Sequence, residues 1–354
     1  MTKVYKVSIL GGTDGFGKWL ATYALKNFGD CIHLTITGNN VEKGHGVSQE
    51  LGCIFLNNNI EAVKDADIVI YSVPISRTLS IIETTLPYLK SGAIAADVTS
   101  IKKFPSKALQ KRDDIIVIPS HPMFGPFLSS IAGQVIVLTP DENVKNEQSY
   151  KYLKDFLIGE HAKVIESTPI YHDKMMAIVQ GLTHFNMFVV GETMKRLGCN
   201  IGDSMDFVSP IYKLMISSVE RYLGQNPALY ADIQMFNDEI LEVHEKFLDT
   251  AQNFHTSVKS GNKEKFCLDI ESARDFLGIE NCEIGQKYTD KVIYLMGKQI
   301  DILKNSIGKE IVAHNIYSGD KISGVLVSFD SQSFTLATYG ECVLDEYDII
   351  NTNK

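Results

Sequence analysis

The chain has 354 residues, a formal net charge of -9, 44% hydrophobic residues and 22% charged ones. That is an ordinary globular mix, long enough for two or three domains. It holds no Lys- or Arg-rich run to grip a nucleic acid, and no apolar window approaching the roughly 18 residues of a membrane span.

The N-terminus runs straight into a strand with no signal-peptide pattern, so a cytoplasmic location is expected. The six cysteines (Cys31, Cys53, Cys199, Cys267, Cys282 and Cys342) are scattered, with no CxxC pair and no clustered histidines. This argues for reduced thiols and against a metal site.

From residue 4 to about 167, short β-rich runs alternate with helical stretches: "YKVSIL", "IHLTITG", "ADIVIYSVP", "GAIAADVTS", "DIIVIPSHP", "GQVIVLTP" and "AKVIES". Near-continuous Val and Ile predict a parallel sheet buried on both faces, in a doubly wound α/β domain of six or seven units over residues 1–167. The first run ends in "SILGGTDGFGKWL", Ser8 to Leu20. A strand precedes this glycine cluster and an amphipathic stretch follows it, which is the setting of a dinucleotide-binding turn. Gly12 is expected to turn the chain. Gly15 and Gly17 leave room for a pyrophosphate and for helix-on-strand packing, and the helix start attracts phosphate. Asp14 stands where that fingerprint has glycine. Its side chain is expected to turn away and bond to N–H groups of the loop. Cofactor contacts are expected from Gly12, Thr13, Asp14, Gly15, Phe16 and Gly17, and from Ser72, Val73 and Pro74 at the end of a later strand.

The next run ends in "TITGNN". A site for NAD usually places an acidic residue here to hold the ribose hydroxyls. Thr37, Gly38, Asn39 and Asn40 offer none, and Asn39 can donate to a 2′-phosphate. This favours NADP over NAD, although no arginine is present to pair with that phosphate. Two more motifs fall where strands of a parallel sheet end, "DVTSIK" (Asp97 to Lys102) and "SHPMFGP" (Ser120 to Pro126). Taken alone, His121 reads as a structural histidine and Ser100 equally well as a helix cap.

From "TPIYHDKMMAIVQGLTHFNMF" to about residue 303 helical periodicity dominates. His172, Met176, Gln180 and His184 recur every four residues and so lie near one helix face. Pro210 and Pro227 mark helix starts or breaks. The remainder, 304–354, reads as four or five short strands in a small barrel-like unit. Glu341, Asp345, Glu346 and Asp348 argue against RNA binding there.

Together, "GGTDGFG", "DVTSIK", "HPMFGP", "HDKMMAIVQGLTHF" and "SPIYKLM…VERYLGQNPALYADI" resemble the prephenate dehydrogenases of bacteria and archaea, from the first strand to about residue 300. The resemblance implies a Rossmann-type domain, then an all-α substrate and dimerisation domain over 168–303, and a homodimer. It implies oxidative decarboxylation of prephenate to 4-hydroxyphenylpyruvate, on the way to tyrosine, with hydride passing to NAD(P). His121 then takes the proton of the ring hydroxyl and Ser100 touches that hydroxyl. Arg221, six residues before the proline of "NPALYADI", binds a substrate carboxylate, and His184 lies close to the substrate. Two other readings remain: an arogenate dehydrogenase with the same chemistry, and a catalytically idle NADP-binding sensor or scaffold.

Overall fold

The computed structural model describes residues 3–330 and 332–350. Its N-terminal part alternates strand and helix. In chain order these are β1 (Tyr5–Leu10), α1 (Gly15–Phe28), β2 (Ile32–Thr37), α2 (Val41–Leu51), β3 (Ile54–Leu56) and α3 (Asn59–Val63). There follow β4 (Ile68–Tyr71), α4 (Ile75–Thr85), β5 (Ile94–Asp97), α5 (Lys103–Leu109) and β6 (Ile116–Val117). The six strands form one parallel sheet in the order β3-β2-β1-β4-β5-β6. Ile9 pairs with Ile36 on one side and Ile70 on the other. One core cluster gathers Val7, Ile9, Leu34 and Ile36, and another gathers Leu10, Val69, Tyr71 and Ala95. Both faces of the sheet are therefore covered, as its Val- and Ile-rich runs require. The strand order reverses between β1 and β4, so the segments leaving their carboxyl ends open a crevice at that point.

The last runs do not extend this sheet, as the reading of six or seven units would have it. They make a separate three-stranded sheet in the order β7-β8-β9, from β7 (Ser120–Pro122), β8 (Val135–Leu138) and β9 (Lys163–Glu166), with α6 (Gln148–Gly159) before β9. β7 is antiparallel to β8, and β8 is parallel to β9. The single run "DIIVIPSHP" breaks at Pro119, which has no N–H to donate to a ladder. Its carbonyl accepts Thr139 N–H at 2.9 Å, and the chain re-enters a different sheet at Ser120.

The helical region holds α7 (Pro169–Met176), a π-helical turn (Ala177–Leu182), α8 (Thr183–Arg196), α9 (Ile201–Met205) and α10 (Pro210–Leu223). It continues with α11 (Pro227–Phe236), α12 (Ile240–Ser260), α13 (Lys263–Leu277) and α14 (Ile279–Lys304). Pro210 and Pro227 each open a helix, where a missing N–H costs nothing. Five strands close the chain: β10 (Glu310–Asn315), β11 (Lys321–Phe329), β12 (Ser333–Leu336), β13 (Gly340–Val343) and β14 (Tyr347–Ile350). They form an antiparallel sheet in the order β13-β12-β11-β10-β14.

By packing, the chain forms two compact units, residues 1–200 with 217–251, and residues 201–216 with 252–354. This division cuts across elements and does not follow the change from strand to helix near 167 or from helix to strand near 303. In the first unit, Ile75 and Ile101 share a buried cluster with Ala177, Tyr230, Ile233 and Ile240. In the second, Leu303 of α14 is fully buried with Ile311, Leu326, Phe334 and Leu336 of the terminal sheet.

A polar contact in the first unit joins α11 to α4. Pro74, at the N-cap of α4, offers no side-chain acceptor, which leaves first-turn N–H groups to be satisfied from elsewhere. Asp232 supplies it, accepting Ser76 N–H at 2.9 Å and Ser76 Oγ–H at 2.7 Å through one carboxylate oxygen. Asp232→Ala is expected to destabilise the protein by about 1 kcal/mol, the usual cost of a lost N-terminal cap. The shift of the urea-unfolding midpoint measures it.

Candidate active site

The glycine turn after β1 is built on backbone proximity. The sharp turn expected at Gly12 is made by Gly11, whose φ is +83°, and a Cβ there would strike the Ser72 carbonyl oxygen. A Cβ on Gly17 would strike the Gly11 carbonyl oxygen in turn. Helix α1, the turn and the segment after β4 therefore pack backbone to backbone. Gly12 is instead needed for its contact with Ile36. At Gly15 nothing lies within 4 Å of the Cβ position, so the mouth of the turn is open. Ser72 N–H donates to the Leu10 carbonyl at 2.9 Å, which sets the Ser72–Pro74 segment alongside the turn.

Asp14 caps α1, accepting Gly15 N–H at 2.8 Å as expected, and it also pairs with Lys43 Nζ at 2.5 Å. Lys43 first, and the Gly15 N–H second, hold its carboxyl below the ordinary aspartate range. The aspartate's charge is thus matched where a pyrophosphate would lie. Thr13 is buried, and the Phe16 ring packs on Trp19 and Phe124, 5.1 and 5.7 Å between centroids. At the end of β2, Thr37 Oγ accepts Gly11 N–H at 3.3 Å, Asn39 is exposed and Asn40 caps α2. An open Gly15, a helix start and a neutralised aspartate fit the phosphates of a dinucleotide.

The second part of the site is buried and charged. Lys102 and Asp97, both fully buried, form an ion pair, and Lys102 Nζ also donates to the Ser120 carbonyl at 2.8 Å. Burial pushes the Lys102 ammonium down from its ordinary value and Asp97 pulls it back. The pair ties the end of β5 to the start of β7, where His121 sits. His121 Nδ1 lies 2.9 Å from His172 Nε2, and His172 Nδ1 lies 2.7 Å from Asp173 Oδ1. Asp173 accepts Lys102 N–H at 2.8 Å and Lys103 N–H at 2.9 Å. Burial first, then His172 and Lys102, hold His121 well below the ordinary histidine value, so its imidazole is neutral. Ser100 lies half-buried in the loop between Asp97 and Lys102. It is not the cap of α5, because Lys102 holds the N-cap position and makes no side-chain cap bond.

Lys102, His172 and Asp173 were not singled out from the sequence as site residues. The signals were there: the lysine of "DVTSIK" and the "HD" pair in the first turns of α7. A buried lysine and a buried histidine demand partners, but spacing alone does not say which.

The segment from Ser120 to Leu128 joins His121 to contacts with α1 and with Arg221. Trp19 Nε1 donates to the Leu128 carbonyl at 2.6 Å, and Phe124 packs on Phe16 and Trp19. Next to Leu128, the Arg221 guanidinium lies over the Phe127 ring, 5.0 Å from its centroid. Arg221 is exposed and makes no ion pair among the described residues. His184 is buried between the rings of Tyr222 and Tyr230, each 4.9 Å away, and its Nδ1 has no hydrogen-bond partner among the described residues. Burial brings it down to about 4. The face shared by His172 and His184 is interrupted by the π turn, whose Gly181 carbonyl accepts Gln234 Nε2–H at 3.1 Å.

Residues 22–166 match the prephenate dehydrogenase nucleotide-binding domain, and residues 168–271 match the prephenate dehydrogenase dimerization domain. The chain belongs to the prephenate dehydrogenase family. The glycine turn precedes the first matched segment, and the terminal sheet follows the second. A probable arogenate/prephenate dehydrogenase of Methanocaldococcus jannaschii is 43% identical over 349 residues, 98% of this chain and 74% of that one. The T-protein of Haemophilus influenzae is 32% identical over 214 residues, 60% of this chain and 56% of its own length. A crystal structure of prephenate dehydrogenase from A. aeolicus, in complex with hydroxyphenyl propionate and NAD+, shares the fold. Its TM-score is 0.61 at 18% identity, over 80% of this chain and 99% of that one. This family member is thus an oxidoreductase of aromatic amino acid biosynthesis. No helix among the described residues is long and apolar enough to cross a membrane.

Burial of His121 and His184 is expected to make the protein acid-sensitive. A histidine held below 6.5 in the folded state takes up its proton first in the unfolded chain. Its contribution is therefore intact above about pH 6.5 and is lost as pH falls toward the folded value, by up to about 1.4 kcal/mol per pH unit. For His184 that window runs down to about 4. His184→Phe keeps a ring between the two tyrosines and has nothing to titrate. Urea unfolding at a series of pH values below about 6.5 is expected to show a shallower loss of stability in the variant than in the wild type.

Proposed function

We propose that the chain oxidises prephenate to 4-hydroxyphenylpyruvate with loss of carbon dioxide, using NADP and acting as a homodimer. The observation that carries this reading is the Ser120–Leu128 loop. It begins at a neutral, buried His121, packs against the helix of the glycine turn, and ends beneath an unpaired Arg221. One short segment thereby carries a base and touches both the helix of the nucleotide cradle and a cation with no ion-pair partner among the described residues.

When bound, the nicotinamide supplies the hydride acceptor. The chain's own residues do the rest. His121 accepts the proton of the ring hydroxyl, which raises electron density on that oxygen and favours departure of hydride from the carbon bearing it. Ser100 is offered as a second hydrogen-bonding group for the hydroxyl. Arg221 holds a carboxylate, a role its planar fork suits. His184 presents its unpartnered nitrogen to the substrate's surroundings.

For the cofactor, the end of β2 carries no acid to repel a 2′-phosphate, and Asn39 and Lys43 can face one. Lys43 would then be shared with Asp14, so its pull on the phosphate is partly spent on that pair. The homodimer is supported by the match to a dimerization domain and by exposed apolar side chains such as Phe276, Leu277 and Ile279 at the α13–α14 junction. A substrate with an amino group in place of the keto group, arogenate, would undergo the same step at the same base. The presence together of His121, Ser100 and Arg221 argues against an idle sensor.

The deciding assay follows nicotinamide reduction with prephenate or arogenate and NAD or NADP. The expected result is the highest kcat/KM for prephenate with NADP. A higher value with NAD overturns the cofactor reading, and no reduction in any pairing restores the sensor. His121→Asn is expected to lower kcat by about 10²- to 10⁴-fold with cofactor affinity unchanged. Near-normal kcat in that variant would remove His121 as the base. Arg221→Ala is expected to raise KM for prephenate by roughly 10- to 100-fold, matching about 1.5–3 kcal/mol for a charge-assisted bond. KM for the cofactor should stay near the wild-type value, and an unchanged substrate KM would return Arg221 to a solvated helix face.

A further inference from the structure

We propose that His172 and Asp173 are positioning residues that fix the tautomer of His121, placing its proton on Nδ1 and its basic lone pair on Nε2. The proposal rests on His121 being the base.

The direction of the chain is read from its end. Both Asp173 oxygens already face backbone donors, Oδ1 the Lys102 N–H and Oδ2 the Lys103 N–H. A carboxylate held in this way is an acceptor, so the contact of 2.7 Å with His172 Nδ1 carries its hydrogen on the histidine. Taken in its neutral form, the His172 imidazole has a single N–H. With that hydrogen on Nδ1, His172 Nε2 is an acceptor. The only hydrogen able to fill the 2.9 Å gap to His121 is then on His121 Nδ1. The two rings meet edgewise, 67° apart in plane, which suits an N–H pointing into a lone pair and not a stack. Nε2 of His121 is left as the acceptor, with no hydrogen-bond partner among the described residues.

The opposite arrangement would disable the base. If His172 donated through Nε2, His121 Nδ1 would hold the lone pair and Nε2 would carry the hydrogen. The nitrogen left open would then be unable to take a proton. The hydrogen bond made by one ring nitrogen decides what the other can do. The relay is also held in place. Asn237 Nδ2–H donates to the Asp173 carbonyl at 2.8 Å, and the two backbone donors to Asp173 belong to the loop and helix start that follow Ser100. The charged and titratable groups facing His121 are Lys102, from the loop after β5, and His172 with Asp173, from α7. Asp97 stands behind Lys102 as its counter-ion.

The test uses the full-length protein labelled with 15N-histidine, in correlation spectra that distinguish protonated from unprotonated ring nitrogens. His121 is assigned by the resonances lost in His121→Asn. At neutral pH, without substrate, the wild type is expected to show Nδ1 protonated and Nε2 bare. His172→Leu offers no acceptor and is expected to shift His121 toward the Nε2–H form. It should also lower kcat by at least about 10-fold, with an altered pH profile and little change in KM for prephenate. His172→Gln places an amide oxygen at similar reach and is expected to restore both the tautomer and much of kcat. An Nε2–H wild type overturns the proposal. So does a His172→Leu variant that keeps the wild-type tautomer, kcat and pH profile. Should His172→Leu fail to fold, the wild-type and His172→Gln spectra still decide. Should the wild type turn over neither prephenate nor arogenate, the function reading fails while the spectrum still reports the tautomer.

Discussion

The site depends first on a buried cation. Lys102 is fully buried, and an ammonium without water must be met by charge and by hydrogen-bond acceptors. Asp97 supplies the charge and the Ser120 carbonyl an acceptor, so the requirement joins the last residue of β5 to the first residue of β7. Those two strands belong to different sheets. The chain could pass from one to the other in many ways, and Lys102 selects the one that sets His121 against α7. Its own N–H completes the arrangement by holding Asp173. One residue thus fixes His121, Asp173 and the loop carrying Ser100. Replacing either member of the Lys102–Asp97 pair would strand the other charge in a dry interior, which typically costs 3–5 kcal/mol or more in comparable cases, roughly speaking.

The glycine turn is governed by a different constraint, the space available to main chain. Gly11 and Gly17 are required because carbonyl oxygens occupy the places where side chains would go. Gly15 differs, since its surroundings are open. Gly15 is called for by its own backbone, whose φ is +47°, and it leaves the mouth of the turn clear. Asp14 would spoil the turn if it stood alone. Lys43, from the next βα unit, makes the aspartate tolerable and at the same time draws α2 toward the turn. The cofactor end of the crevice is therefore near neutral by compensation, and the helix start supplies the remaining attraction for phosphate.

Much of this was legible in the sequence, and the remainder was hidden for physical reasons. The Val- and Ile-rich runs marked the parallel strands because burial on both faces leaves little other composition. Pro210 and Pro227 marked helix starts because they can sit at few other helical positions. The break at Pro119 shows the opposite case. A proline inside an apolar run ends its pairing without saying where the chain goes next, so composition does not show that β8 and β9 pair in a sheet of their own. Gly11 and Gly12 are indistinguishable in sequence until φ is known. The partners of His121, of Ser76 in α4 and of Lys43 lie 51, 156 and 29 positions away, in the contacts His121–His172, Ser76–Asp232 and Asp14–Lys43. Side-chain pairs at such separations follow from tertiary packing, and no local period encodes them. The π turn was unreadable too, since one extra residue in a helix leaves the apolar pattern almost unchanged.

The distribution of charge bears on how the proposed reaction would be driven. His121 and His184 are both held neutral by burial, Lys102 is matched by Asp97, and Asp14 by Lys43. Of the cations named at this site, Arg221 alone has no ion-pair partner among the described residues. A substrate with two carboxylates would then find one good counter-ion, at the exposed end of the loop. The carboxylate held there stays charged and anchored. If the other lay beside the neutral, buried His121, it would find no counter-charge there, and an anion in such a setting is disfavoured relative to a neutral product. Carbon dioxide is such a product, and its loss removes the charge that this setting does not stabilise. On this view the neutral histidines matter twice: one accepts the proton, and neither offers the departing carboxylate a positive charge that would hold it back.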